Sequence, residues 1–327
     1  MRFGVSTVHL TQERVALILT ALIATSLLFA LPGFGTTANL LGLLRSVSVL
    51  GILGIGMSVV IIGRGIDLSM VATMAISVAW YLELADRGHS PAAALTLGLG
   101  SAVLIGCANG LLIAYAEVPA LFATLAMGIL VYGIGRSDLL DQDLIQLPDS
   151  LSALARLGNA HIGPIPIEIV LFAALTVCVS AGLKLTKIGR FIYLMGDNMA
   201  AARITGVPTR PLVVGQYVFS SVIAFVAGIV TTASLHSMNT RIVNSTLLYD
   251  SILVVVIGGI GLSGGKGGMS NVLVGTLLIG ILLNGMTILD ISDTVQNVLK
   301  AVVLLTAILV DSLLNPRDEQ TAQQGDI

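Results

Sequence analysis

Ten apolar runs succeed one another along the chain, near residues 15–31, 40–62, 69–85, 92–116, 119–135, 167–185, 212–234, 250–262, 271–289 and 295–311. Most are about 17–25 residues long, the reach of a helix across a bilayer, whereas barrel strands alternate in polarity over roughly ten residues. In hydrocarbon the fold itself must satisfy every backbone polar group, so the runs predict helices. Only 10% of the 327 residues are charged. Soluble domains average about 25%, so polar side chains here cannot cover a water-facing surface. The expected fold is an all-α polytopic membrane protein of about ten transmembrane segments, with lipid around its flank. Its 36 glycines suit close helix–helix approach. Pro32-Gly33-Phe34 follows the first run as a turn, without a small-x-small cleavage site, so 15–31 is read as a span and not a signal peptide. Cys107 and Cys178 lie inside apolar runs and read as small apolar fillers.

Cation bias sets the sidedness. The cytoplasmic segments are predicted as 1–14 (Arg2, Arg14), 63–68 (Arg64), 117–118, 186–211, 263–270 (Lys266) and the tail 312–327, around a membrane domain 15–311. The outer segments are then 32–39, 86–91, 136–166, 235–249 and 290–294. The loop 136–166 holds Arg136 and Arg156 against Asp138, Asp141, Asp143 and Asp149, which is +2 − 4 = −2. Both termini are expected inside. Span parity permits two inverted five-span halves, although no strong internal repeat is visible. The eighth run is too short to span as a helix and ends in the glycine-rich stretch 258–268. Such backbone at membrane depth must be buried in protein or line a cavity.

The stretch Lys184 to Arg210 carries Lys184, Lys187, Arg190, Arg203 and Arg210 against Asp197, or +5 − 1 = +4, in a chain of net charge −2. Asp197-Asn198 is placed to cap a short helix, Met199 to Ile204, that Gly206 and Pro208 would end. Ala200, Ala201 and Ala202 keep that helix narrow. Two readings stand. It is a solvated connector that obeys the positive-inside rule, or it enters a groove on another protein with Arg203 pairing acids at the rim.

Ionisable groups inside spans invite functional readings. Arg45 and Lys300 lie a few residues into the second and tenth runs, near the outer ends. They line an outer vestibule, or they snorkel or pair structurally. Glu83 and Glu117 read as interfacial. Asp250 reads as the N-cap of the eighth segment. Asn109 is interhelical glue or a substrate contact. Midplane acids of the kind ion-coupled carriers use are not evident, which points to a driving force supplied from outside the chain.

Enzyme signatures fail. Gly261-Leu262-Ser263-Gly264-Gly265 matches the nucleophile-elbow pattern G-x-S-x-G. A nucleophile needs a base within reach. His89, His161 and His236 fall in outer loops or an outer span end, a membrane thickness from Ser263, and His9 falls in the N-terminal segment. A close-packed glycine turn is the preferred reading. Gly265-Lys266 fails as a P-loop, because Ile260 and Gly267 stand where Gly and Ser/Thr are required. No H-E-x-x-H, C-x-x-C or clustered carboxylate pattern supports a metal site.

Four stretches together resemble the permease subunits of ribose-type, monosaccharide ABC importers, within the broader branched-chain amino acid/ribose permease family. Ile61-Ile62-Gly63-Arg64-Gly65-Ile66-Asp67-Leu68-Ser69 is similar to that family's G-G-I-D-L-S segment, which favours the sugar branch. Asn109-Gly110-Leu111-Leu112-Ile113-Ala114-Tyr115 resembles N-G-L-L-V-A-Y. Gly189-Arg190, then Gly196-Asp197-Asn198 and Ala201-Ala202-Arg203-Ile204-Thr205-Gly206, resemble the coupling-loop pattern. Asp250-Ser251-Ile252 running into Val256-Ile257-Gly258-Gly259 and Gly264-Gly265-Lys266-Gly267 completes the match. The departures are Arg64 for a more usual Gly, Ala200 for Glu, and Leu248 where an acid often stands. The resemblance implies a bacterial inner-membrane complex of two permeases, as a pair of copies or a copy with a paralogue. The resemblance further implies a cytoplasmic ABC ATPase that would bind the ATP and Mg, and a periplasmic sugar-binding protein that would feed the complex. This chain would itself bind no cofactor and no nucleic acid. Gly196, Asp197, Asn198, Ala201, Ala202, Arg203 and Gly206 would then dock on the ATPase. Asp67, Ser69, Asn109, Asp250, Arg45 and Lys300 would belong to the translocation path or gate. A secondary transporter for a small neutral solute and an intramembrane serine hydrolase are the alternatives.

Overall fold

The computed structural model describes residues 12–314. Residues 1–11 of the expected N-terminal segment, with His9, and 315–327 of the expected tail lie outside the described residues. Thirteen α-helices are described: α1 Gln12–Ala30, α2 Thr37–Ile62, α3 Met70–Asp86, α4 Pro91–Ala114, α5 Ala120–Ile134, α6 Ser152–Gly158, α7 Ile167–Leu185, α8 Lys187–Asp197, α9 Met199–Ile204, α10 Thr209–Leu235, α11 Leu247–Ile257, α12 Met269–Ile288 and α13 Asp293–Leu314. A π-helical turn, Gly135–Leu139, extends α5. Two short antiparallel ladders pair β1 (Leu144–Gln146) with β4 (Ser237–Asn239), and β2 (His161–Ile162) with β3 (Ile165–Pro166).

Each of the ten apolar runs coincides with a helix. Seven of these, α1, α2, extended α5, α4, α7, α10 and α12, are long and apolar enough to cross a membrane. The remaining runs are α3, α11 and α13. At 17 residues α3 is barely long enough to cross, and 14 of its residues are buried, so other helices sheathe it. Polar caps begin the helices where the chain turns. Thr36 Oγ1 accepts from Asn39 N at 3.3 Å, and Ser90 Oγ accepts from Ala93 N at 3.3 Å ahead of Pro91.

The connections sort to the two ends of the bundle. At one end Gly265 N donates to the Ile62 carbonyl, Tyr193 Oη donates to the Gly267 carbonyl, and Arg210 pairs with Glu117. At the other, Asn39 and Asn284 exchange amide hydrogen bonds, Arg87 reaches Asp141, and β1 pairs with β4. The first set of contacts joins the α2–α3 turn, the glycine-rich loop and α8, and separately residue 117 to the start of α10.

Helix α2 is the hub, with α7, α10, α11 and α12 all packed on it. It is buried almost throughout its second half. Three glycines on it each admit a different neighbour: the Phe172 ring of α7 at Gly51, Val272 of α12 and Val254 of α11 at Gly54, and Ile223 of α10 with Met70 of α3 at Gly56. Helix α4 solves the same problem with a stripe. Ala94, Gly98, Ala102, Gly106, Gly110 and Ala114 recur every fourth residue, all buried. A four-residue step keeps one helix face, and small residues there let backbones touch. A Cβ on Gly106 would lie 2.7 Å from the Tyr217 carbonyl oxygen and the Val218 Cα of α10.

This packing predicts a contrast within one helix. Gly106→Ala forces α4 from α10 and should cost about 1–3 kcal/mol, the range for overpacking a tight contact. Gly100→Ala, where an added Cβ meets nothing within 4 Å, should be neutral or stabilising by up to about 1 kcal/mol through helix propensity. Unfolding of the purified variants in detergent measures both, and equal effects would refute the stripe.

Candidate functional site

The basic stretch folds as two helices, where the sequence pattern predicted one short helix in a loop. Thr186 Oγ1 caps α8 by accepting from Gly189 N at 3.1 Å. Asn198 Oδ1 caps α9 by accepting from Ala201 N at 2.9 Å. Gly206, at φ +83°, ends α9, and Val207 N returns to the Ala202 carbonyl at 3.0 Å. Of the sequence-named residues, Ala202 faces inward at 3% exposure and Gly196 is buried. Asp197, Asn198, Ala201, Arg203 and Gly206 are exposed. Arg203 Nε donates to Thr209 Oγ1 at 3.3 Å, and its Nη2 lies 3.7 Å from Met199 Sδ. Sequence reasoning missed Ile204, which is 88% exposed, one turn from exposed Ala200 and so on its face. A bare isoleucine on a helix one turn and a half long is the signal that could have found it.

The loop rests on main chain. A Cβ on Gly196 would collide with the Ile62 carbonyl at the end of α2. That same carbonyl accepts from Gly265 N at 2.8 Å. Gly264 and Gly265 stand at φ +78° and +73°, where glycine is favoured. Arg64, the departure from glycine, also lies at φ +69°, and its Nε donates to the Ser263 carbonyl at 2.8 Å. Thus α2, the glycine-rich loop and α8 meet at one joint. Tyr193 completes it by donating to the Gly267 carbonyl at 2.7 Å. Burial pushes the Tyr193 phenol above its ordinary value, which keeps it a donor. Ser263 offers its carbonyl to this joint, and among the described residues no histidine hydrogen-bonds it.

Near the same end, the turn between α2 and α3 holds a polar cluster. Asp67, Ser69 and Asn109 are all 0% exposed. Asp67 Oδ1 accepts from Ser69 N (3.0 Å) and Ser69 Oγ (2.6 Å), and its Oδ2 accepts from Ser220 Oγ at 2.7 Å. Asn109 Nδ2 donates to Ser69 Oγ at 2.8 Å. The turn is thereby joined to α4 and α10. Thr124 of α5 adds a further tie by accepting from Leu68 N at 3.0 Å. The three sequence-named residues of this cluster lie together, sealed among helices.

The opposite end holds two ion pairs. Arg45 Nη2 lies 2.8 Å from Glu168 Oε1, which also accepts from Ser234 Oγ at 2.6 Å. Arg45 reaches the Gly158 carbonyl at 3.2 Å. Lys300 Nζ lies 2.8 Å from Asp250 Oδ2 and donates to Thr246 Oγ1 at 3.0 Å. One expectation is corrected here. Asp250 is not an N-cap: α11 starts at Leu247, and Asp250 sits in its first turn holding Lys300. Buried acids lie toward the two ends of the bundle, Glu168 at 2% exposed and Asp67 fully buried. Arg45 and Lys300 pair with carboxylates that one-dimensional patterning placed far from them. Glu83 and Glu117 pair with Arg87 and Arg210.

Residues 39–308 match the profile of a family described as branched-chain amino acid transport system, permease component. The chain is 32% identical to the ribose import permease protein RbsC of Haemophilus influenzae, over 88% of each chain. It is 34% identical to RbsC of Bacillus subtilis, over 86% of each. It is 32% identical to the galactofuranose transporter permease protein YtfT of Escherichia coli, over 83% of this chain and 78% of that one. No solved structure matches the chain significantly. The chain therefore belongs to the branched-chain amino acid transport system permease family, in its ribose-type ABC branch, and is a multi-pass inner-membrane protein.

Proposed function

We propose that this chain is the membrane-spanning subunit of an ATP-driven importer for a monosaccharide or polyol. The carrying observation is the α8–α9 unit, an exposed capped helix seated on the main chain of α2 in a chain whose relatives are sugar permeases. In this reading the chain catalyses no covalent step and holds no cofactor, and ATP and Mg sit on a separate cytoplasmic ATPase. Residues 186–211 are the coupling loop, 15–311 the membrane domain, and both termini are cytoplasmic, with five spans on each side of the 136–166 loop. A second permease copy or paralogue completes the path, and a periplasmic binding protein delivers the sugar at the end bearing Arg45 and Lys300.

The mechanism follows from the joint. A partner shifts a two-state element only through contacts that differ between the states. An ATPase gripping Ile204 and Arg203 displaces α9 and α8. Because Gly196 touches the Ile62 carbonyl directly, that displacement passes to α2 and the glycine-rich loop without a compliant side chain between them. The Asp67–Ser69–Asn109 cluster then acts as the inner gate's clasp, since it ties the α2–α3 turn to α4 and α10. Arg45–Glu168 and Lys300–Asp250 brace the outer mouth. Ion-coupled transport is the competing reading, because Asp67 and Glu168 are buried. Both carboxylates are already engaged, Asp67 by serines and Glu168 by Arg45 and Ser234. Uptake that follows an ion gradient in vesicles lacking any ATPase would overturn the importer reading.

Three outcomes follow. Ile204→Asp and Arg203→Glu should each lower ATP-dependent uptake about fivefold or more, the loss expected for an interface anchor, while membrane insertion stays normal. Wild-type uptake by both would remove α9 from the interface. Asp250→Asn leaves Lys300 without its charge partner and should reduce uptake and lower the melting temperature, both read on the same preparation. Ser263→Ala should retain uptake, because only the Ser263 carbonyl is used. Loss of a proteolytic activity on that change would revive the hydrolase alternative.

A further inference from the structure

Between α7, α8 and α10, with Val59 and Gln216 at its floor, lies an apolar groove that the transport reading leaves unused. Its volume is about 720 Å³, with walls that include Val179, Gly182, Leu183, Ile188, Gly215 and Phe219. The space is built in by small residues, since a Cβ on Gly182 or on Gly215 would meet nothing within 4 Å. The groove's hydroxyl and amide side chains already have main-chain partners. Thr186 Oγ1 donates to the Gly182 carbonyl at 2.6 Å, and Gln216 Nε2 donates to the Val59 carbonyl at 3.2 Å. A sugar would find little there to hydrogen-bond.

The charge at the groove's polar end is unmatched. Leu183, Thr186 and Gly189 line it, and each is followed directly in sequence by a cation: Lys184, Lys187 and Arg190. All three cations are exposed, and among the described residues none enters an ion pair. Arg210 at the same end, by contrast, is held by Glu117 and lies 5.4 Å over the Tyr115 ring. Lys187 and Arg190 stand three apart on α8, a helix that also exposes Ile188 and Leu194. A basic helix with bare apolar side chains, set beside an open apolar slot, has the pattern of an element lying in the membrane interface.

We propose that this groove binds an anionic phospholipid, with an acyl chain along Gly182 and Gly215 and the phosphate on Lys184, Lys187 and Arg190. The complementarity of charge selects the headgroup, and the apolar walls select a chain over a soluble anion. Only the leaflet, cytoplasmic, rests on the orientation proposed above. The binding itself is tested without transport, so its failure and the failure of the importer reading are separable.

The test uses the purified full chain, delipidated in detergent and titrated with phosphatidylglycerol or phosphatidylcholine, with bound lipid counted by native mass spectrometry. Phosphatidylglycerol should be retained about tenfold more tightly or better, given three cations near one headgroup. K184Q/K187Q/R190Q should abolish that preference. G182L/G215L, which fills the slot, should lose the tight phosphatidylglycerol site. Alkylation of Cys178, exposed in the groove lining, should be slowed by phosphatidylglycerol and not by phosphatidylcholine. Equal retention of the two lipids by the unmodified chain overturns the proposal and requires no variant to fold. Retained preference in the charge variant also overturns it, as does a slot-filling variant that keeps its lipid and changes the monomer–dimer balance, which would assign the slot to a second copy.

Discussion

In lipid, apolar side chains gain nothing by leaving their surroundings for one another, so helices hold together by how closely their backbones approach. That constraint shapes the whole bundle. Helix α2 can sit at the centre because Gly51, Gly54 and Gly56 let three sets of neighbours in at different heights. Helix α4 lies against α10 because six small residues recur at four-residue steps along one face. The long side chains are displaced outward, and Leu104 (70% exposed), Phe122 and Ile129 (68%) stand on the outer surface.

Polar clusters at the two ends do different work. At one end the groups are locked to main chain and to each other. Asp67 is satisfied by serines, and Arg64 spends its guanidinium on a carbonyl of the glycine-rich loop. At the other end charges pair across helices distant in sequence, with 123 residues separating Arg45 from Glu168. Removing Arg45 would leave the buried Glu168 carboxylate uncompensated, and removing Asp250 would do the same to the largely buried Lys300.

Much of this was legible in one dimension. Hydropathy located the seven long apolar helices, because a run of apolar residues carries its own length. The Asn198 cap and the Gly206 stop of α9 were legible because capping is decided by residues within one turn. What patterning missed was relational. Glu168 carries no local signature, and its partners Arg45 and Ser234 lie 123 and 66 residues away. Asp250 read as a cap because a cap is the local role for an acid near a helix start, whereas its partner Lys300 lies 50 residues on. Helix α8 was hidden in a stretch read chiefly for its charge. Its apolar residues Ile192 and Met195 are buried, while its lysine and arginine are exposed.

The contact between Gly196 and the Ile62 carbonyl has a consequence for how such a loop is mapped. Both partners present backbone atoms, and the third member, Gly265, does the same. Truncating Tyr193 or Arg64 to alanine would remove a side-chain tie around the joint and leave the backbone contact itself in place, so side-chain deletion alone would not reach the hinge. Function here would be concentrated at positions where nothing can be deleted and only an added methyl group makes the connection visible.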